Sequence, residues 1–196
     1  MKLVIATHNA HKVSEFQALL AIPGLEVKPL PPGLPDAPET GATFLENAQM
    51  KARFYAEYVP DLVLSDDSGL EVPLLGGEPG IYSARYAGTH GDDVANNQKL
   101  IAHLHEQGVT QADAAFVCAL AVCRNGQLLV SVEGRVKGDV FDDVRGQSGF
   151  GYDPLFQPKG ASRRFGEMSA SEKAQYSHRA LAVQLLRQRQ KEWLDG

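Results

Sequence analysis

Apolar residues fall alternately in short solid runs and in helical stripes, which predicts a mixed α/β fold. Leu3-Val4-Ile5-Ala6 is wholly apolar, as a strand covered on both faces requires. From Lys12 to Leu20 the apolar Val13, Phe16, Leu19 and Leu20 recur at helical spacing, and Pro23-Gly24 ends the segment. Leu25 to Leu30 reads as a second strand, followed by a proline-rich connection from Pro31 to Pro38. Thr43-Phe44-Leu45-Glu46 is a capping box, so a helix should run from Phe44 to about Tyr58. Leu62-Val63-Leu64 is another buried strand, predicted to end in the polar stretch Ser65-Asp66-Asp67-Ser68-Gly69.

A glycine-rich loop then spans Gly76 to Gly91, and Asp92 or Asp93 starts a helix reaching about Glu106. Ala114 to Arg124 and Gln127 to Val136 are β-like runs joined by Asn125-Gly126. That dipeptide suits a two-residue hairpin, because a type I′ turn needs positive φ at both central positions. Gly146 to Gly151 leads into Tyr152-Asp153-Pro154, and a last helix should start near Ser169 and continue to Trp193, with a break around Ser177. Repeats and low-complexity tracts are absent from the sequence, so residues 1–196 read as one domain.

Charge narrows the partners. A net charge of −5 argues against a general nucleic-acid binder, although a cleft with its own positive field can still take a small anion. Cys118 and Cys123 lack CxxC spacing and read as buried thiols of a reducing compartment. The N-terminal apolar run is too short for a signal peptide and no run reaches membrane-spanning length, so a cytoplasmic protein is the expectation.

Five places can carry chemistry. Thr7-His8-Asn9-Ala10-His11-Lys12 sits where the first strand meets the first helix, a position that offers N–H groups, a hydroxyl, an amide and a cation to phosphate. Its ordinary alternative is a capped helix with a solvated lysine. Asp66-Asp67 sets two carboxylates side by side, which repel unless a proton or a cation such as Mg²⁺ relieves them. One of the pair can also orient or deprotonate a water, while Asp-Ser-Gly is equally ordinary turn chemistry. Glu39 has no local structural job and suits a second metal ligand. Glu46 is as well explained by capping as by metal binding, and Lys51 gains interest only from its neighbours. Gly149-Phe150-Gly151-Tyr152-Asp153-Pro154 sets two aromatics among glycines, which suits stacking on a purine or a turn with its rings in the core. Lys173, His178 and Arg179 would face one ligand if the chain bends between them, as donors to phosphate or to a 6-keto oxygen.

Taken in order, six blocks resemble one family, the inosine triphosphate or non-canonical purine nucleoside triphosphate pyrophosphatases, also called Ham1-like proteins. They are Thr7-x-Asn9-x-x-Lys12, Glu39-Thr40-Gly41-x-Thr43-Phe44-x-Glu46-Asn47-Ala48, Asp66-Asp67-Ser68-Gly69-Leu70, Pro79-Gly80-Ile81-Tyr82-Ser83-Ala84-Arg85-Tyr86, Gly149-Phe150-Gly151-Tyr152-Asp153-Pro154 and Ser177-His178-Arg179. His8 and His11 occupy variable positions of the first block.

The resemblance implies a two-lobed mixed α/β fold with a long central sheet, an active-site cleft between the lobes, and a homodimer. It implies Mg²⁺-dependent hydrolysis of ITP, dITP and XTP to a monophosphate and pyrophosphate. By position, Thr7 to Lys12 would hold the triphosphate, and Asp67 would accept a proton and, with Glu39, bind Mg²⁺. Ser68 and Lys173 would contact substrate. Phe150, Gly151, Tyr152 and Asp153 would meet the base, and His178 and Arg179 would read its 6-keto edge. Two rival expectations remain at this point: a Maf-like pyrophosphatase of other base specificity, and a nucleotide sensor without turnover.

Overall fold

The computed structural model describes residues 1–194. Its strands are β1 (Lys2–Ile5), β2 (Glu26–Pro29), β3 (Leu62–Glu71), β4 (Gln111–Arg124), β5 (Gln127–Phe141) and β6 (Phe156–Pro158), ordered β2-β1-β3-β4-β5-β6. The helices are α1 (Ala10–Leu19), α2 (Phe44–Tyr55), α3 (Asp93–Glu106), α4 (Ala170–Lys173), α5 (His178–Gln188) and α6 (Gln190–Trp193). The mixed α/β class read from the pattern is the class observed. The chain clusters into two compact units, and β3, β4 and β5 each contribute residues to both.

The first unit comprises, among the described residues, 1–67, 118–134 and 182–194. β1 lies parallel to both β2 and β3, with Leu3 opposite Val27 on one side and Leu62 on the other. Such a strand has no wet face, which is why Leu3, Val4 and Ile5 are all apolar. Asn9 starts α1, its Oδ1 accepting from the N–H groups of His11 and Lys12. Helix α1 then buries Phe16, which packs with Leu3, Leu64, Leu120 and Trp193. In α2 the buried positions are Phe44, Asn47, Ala48, Ala52 and Tyr55, one stripe of an amphipathic helix. Asn125 (φ 50°) and Gly126 (φ 75°) make the tight turn from β4 to β5 that the dipeptide predicts. Cys118 and Cys123 are buried thiols not joined in a disulfide, and burial pushes the Cys123 thiol up to about 11.

The second unit comprises residues 68–117 and 135–181. Its core gathers Leu70, Leu100, Leu104, Phe116, Phe156 and Phe165. Asp92 caps α3, accepting from the Ala95 N–H at 3.0 Å. The glycine-rich loop holds a 3-10 helix over Gly80–Arg85, and another occupies Pro73–Leu75 just before it.

Two expectations need correction. β3 does not stop at residue 64 but continues to Glu71, so Asp66-Asp67-Ser68-Gly69 lies inside a strand rather than in a turn. Ser65 and Asp66 are buried polar residues with partners inside the protein: Ser65 Oγ donates to the Ala48 carbonyl and Asp66 Oδ2 pairs with Lys12. The last helical stretch is split into α4, α5 and α6: the break between Lys173 and His178 is the one expected around Ser177, and the second, between Gln188 and Gln190, is not among the expectations.

Candidate functional site

In the first unit, β1 ends while β3 runs on. The Ala6 N–H donates to the Leu64 carbonyl at 2.7 Å, after which the chain turns into α1. Residues 65–67 of β3 therefore extend beyond the carboxyl end of β1, and α1 delivers Lys12 to them. Lys12 Nζ stands 2.9 Å from Asp66 Oδ2, and the Asp66 side chain is wholly buried. Lys51 comes from α2, pairing with Glu39 and donating to the Asp66 carbonyl at 3.1 Å. Burial works against the Lys51 charge, but the carboxylates of Asp66, Glu39 and Asp67 outweigh it and hold its pKa above the ordinary value. Lys51 is therefore not a solvated surface lysine.

Asp67 is the group most displaced from ordinary behaviour in this set. Burial pushes its carboxyl up to about 6, with Glu39 adding to the rise, while Lys51, Lys12 and an Asn47 hydrogen bond oppose it. Its Oδ2 is buried and has no hydrogen-bond partner among the described residues. Asn47 is placed by Gly41, whose N–H donates to Asn47 Oδ1 at 2.8 Å. A Cβ on Gly41 would come within 2.8 Å of that same oxygen, which gives the Glu39-Thr40-Gly41 block a steric reason for its glycine.

The loop from Thr7 to Lys12 is more occupied than a bare anion cradle. Asn9 Oδ1 takes the N–H groups of His11 and Lys12, and the Asn9 N–H donates to Thr7 Oγ1 at 3.2 Å. His8 is half exposed, 3.4 Å from Asp36, while Ala10 and His11 form the exposed first turn of α1. Glu46 is engaged in its cap: its carboxylate accepts from the Ala42 N–H at 2.7 Å and its own N–H donates to Thr43.

A second constellation is built wholly within the second unit. Lys173 Nζ lies 2.6 Å from Asp153 Oδ2, both side chains buried, and that carboxylate also accepts from the Phe150 N–H at 3.0 Å. Gly149 makes this possible. It has φ 76°, and a Cβ there would fall 2.0 Å from Asp153 Oδ2. The break after α4 brings Lys173 Nζ to 4.9 Å and Arg179 Cζ to 5.7 Å from the centre of the Phe150 ring. Arg179 Nη2 donates to Ser68 Oγ at 3.1 Å, and His178 stacks on Phe116 at 4.6 Å with the rings 8° apart.

The sequence sets two aromatics among glycines here, and the structure separates them. Tyr152 is a core residue whose hydroxyl donates to the Ser83 carbonyl at 2.7 Å, so of the two only Phe150 is partly exposed. Sequence reasoning also assigned no role to Asn47. The signal for it was available, since a polar residue four positions before Lys51 shares that helix face.

The donor chemistry near Asp67 suits Mg²⁺. That ion takes one or two carboxylates and completes its shell with water and phosphate oxygens, and a buried carboxylate with a bare oxygen is what such a cation relieves. Among the described residues no group of three or more His, Cys, Asp or Glu gathers to hold a metal by itself. Among the same residues no helix is long and apolar enough to cross a membrane.

Comparison with known proteins adds an independent line. Residues 3–189 match the Ham1 family. A dITP/XTP pyrophosphatase of Bacillus licheniformis is 46% identical over 189 residues, covering 94% of this chain and 95% of that protein. One from Bacillus subtilis is 45% identical over 93% of each chain. Among solved structures, a Ham1 protein from Coxiella burnetii superposes with a TM-score of 0.88 at 34% identity, over 98% of this chain and 99% of that one. The Staphylococcus aureus Ham1 protein gives 0.84 at 38% identity, over 97% and 98%.

Proposed function

The chain belongs to the Ham1 family, and from that premise we propose that it hydrolyses non-canonical purine nucleoside triphosphates (ITP, dITP and XTP) to monophosphate and pyrophosphate, clearing them from the nucleotide pool. The observation that carries this reading is Asp67. It is a buried carboxyl raised to about 6, with one bare oxygen, flanked by the cations of Lys12 and Lys51. A pKa near the working pH is what a general base needs, and lysines beside it are what a triphosphate needs.

In this reading the segment from Thr7 to Lys12, with Lys51, receives the phosphates. Asp67 Oδ2 accepts the proton of the attacking water as the α–β phosphoanhydride bond breaks and pyrophosphate leaves. Asp67 and Glu39 would hold Mg²⁺, which when bound neutralises phosphate charge and orients the chain of phosphates. On the base side, Phe150 offers its ring face, Gly151 and Tyr152 their backbone, and Asp153 with Lys173 a charged edge. Ser68 contacts substrate beside Asp67 in the chain. His178 and Arg179 donate to the 6-keto oxygen, which the 6-amino group of adenine cannot replace because it accepts no such bond. A homodimer in the cytoplasm completes the proposal.

The test is product analysis with ITP, dITP, XTP, ATP and GTP, assaying pyrophosphate and orthophosphate separately with and without a chelator. Pyrophosphate from the first three, little from ATP or GTP, and loss of turnover on chelation are the expected results. Orthophosphate alone would mean a different bond is cut, and tight ITP binding without product would mean a sensor.

A further inference from the structure

Helix α3 carries two polar side chains that neither its cap nor the substrate roles above require. Asp93 and Asn97 stand four residues apart and so share one helical face. The Gly151 N–H donates to Asp93 Oδ2 at 2.7 Å, and Asn97 Nδ2 donates to the Gly151 carbonyl at 3.0 Å. Both polar groups of a single glycine are thus held from one side by an acceptor and a donor. Asp92, not Asp93, provides the side-chain cap of α3, so capping does not account for Asp93.

What surrounds the glycine shows why these bonds matter. Gly151 has φ 60° and nothing within 4 Å of where a Cβ would stand, so sterics do not fix it. A cavity of about 320 Å³, bordered by Asp93, Asn97, Ile101, Val144, Phe150 and Pro154, adjoins the same loop. Close packing, which orients most buried segments, is therefore missing next to the loop. On the other flank the Phe150 N–H is held by Asp153, itself paired with Lys173. Asp93 and Asn97 supply a restraint from the α3 side on the two-residue stretch that carries the partly exposed Phe150.

We propose that Asp93 and Asn97 are positioning residues for base recognition: they clamp Gly151 and thereby hold the Phe150 ring where the purine meets it. The inference rests on the reading of Phe150 as a base contact. Its signature is a selective one. A ring less well oriented weakens binding of ground state and transition state alike, which raises KM and leaves kcat nearly unchanged.

The experiment compares wild type, Asp93→Ala, Asn97→Ala and Asp93→Asn in steady-state ITP hydrolysis, with a thermal midpoint for each. Each alanine variant should raise KM about fivefold, the worth of one hydrogen bond, with kcat within about twofold. Asp93→Asn should stay near wild type, because its amide oxygen still accepts from Gly151. KM unchanged in both alanine variants, or Asp93→Asn as impaired as Asp93→Ala, would overturn the clamp. If the alanine variants do not fold, Asn97→Asp keeps the shape while setting a carboxylate against the Gly151 carbonyl. Raised KM in it supports the clamp and an unchanged KM overturns it. A wild type that releases no pyrophosphate from ITP would instead sink the functional reading, and the clamp with it.

Discussion

Asp66 and Asp67 are neighbours with the same side chain, yet the fold gives them different chemistry. Successive residues of a strand point to opposite faces, so the two carboxylates meet different surroundings. Each carboxylate is buried with one oxygen that has no hydrogen-bond partner among the described residues, but Asp66 is paired with Lys12 at 2.9 Å, whereas burial pushes the Asp67 carboxyl up. The raised Asp67 pKa, about 6 against an ordinary 3.8, has a consequence for stability. The folded state binds this proton more tightly than the unfolded state, so without metal the contribution of Asp67 to stability is fully present below pH 4. That contribution is lost as pH rises from about 4 to about 6. Asp67→Asn should remove that slope and stabilise the metal-free protein at pH 7 by on the order of 2–3 kcal/mol. Denaturant titrations of both proteins at pH 4 and pH 7 check this, and equal stabilities of the two at pH 7 would refute it. None of this asymmetry was legible in the sequence, where the pair only announced a need for a cation or proton. Lys51 was equally opaque: its carboxylate company comes from Glu39 and β3, which sequence separation hides.

At the scale of elements, the apolar pattern located every strand but the short β6, and misplaced some ends. β3 was cut short because polar letters were read as solvent exposure, whereas Ser65 and Asp66 are buried and partnered. The hairpin turn was legible because Asn125-Gly126 is a local steric requirement that needs no tertiary context. The break after α4 could only be surmised from the spacing of Lys173, His178 and Arg179, since no proline marks it. The glycine loop before Tyr152 gives a direct test of local geometry. Gly149→Ala must adopt a positive φ and also push a methyl into the Asp153 carboxylate. Gly24→Ala faces the same kind of φ with nothing within 4 Å of the new methyl. Backbone strain alone costs about 1–2 kcal/mol, so Gly24→Ala should lower Tm by a few degrees. Gly149→Ala should lower it further and raise KM for ITP by displacing the Asp153–Lys173 pair. Equal Tm losses would show that the Asp153 contact is not restrictive.

For the molecule as a whole, composition excluded more than it identified. A net charge of −5 spoke against nucleic acid, while the cations that matter are few and local, at Lys12, Lys51, Lys173 and Arg179. The candidate residues divide into a phosphate set in one unit and a base set in the other. The Asp67–Ser68 peptide bond of β3 is where the chain passes from the first unit to the second. Six ordered blocks made the family legible, because together they run through the chain nearly from end to end in one order. Partner choice for each side chain was not legible, because it depends on which strands and helices the fold sets side by side. The decisive measurement is pyrophosphate release from ITP and Mg²⁺ by wild type and Asp67→Asn side by side. Wild type should release pyrophosphate stoichiometric with IMP, and the variant, though folded, should turn over about 10²–10⁴-fold more slowly. A folded Asp67→Asn protein with near-wild-type turnover would contradict the assignment of Asp67 as the base.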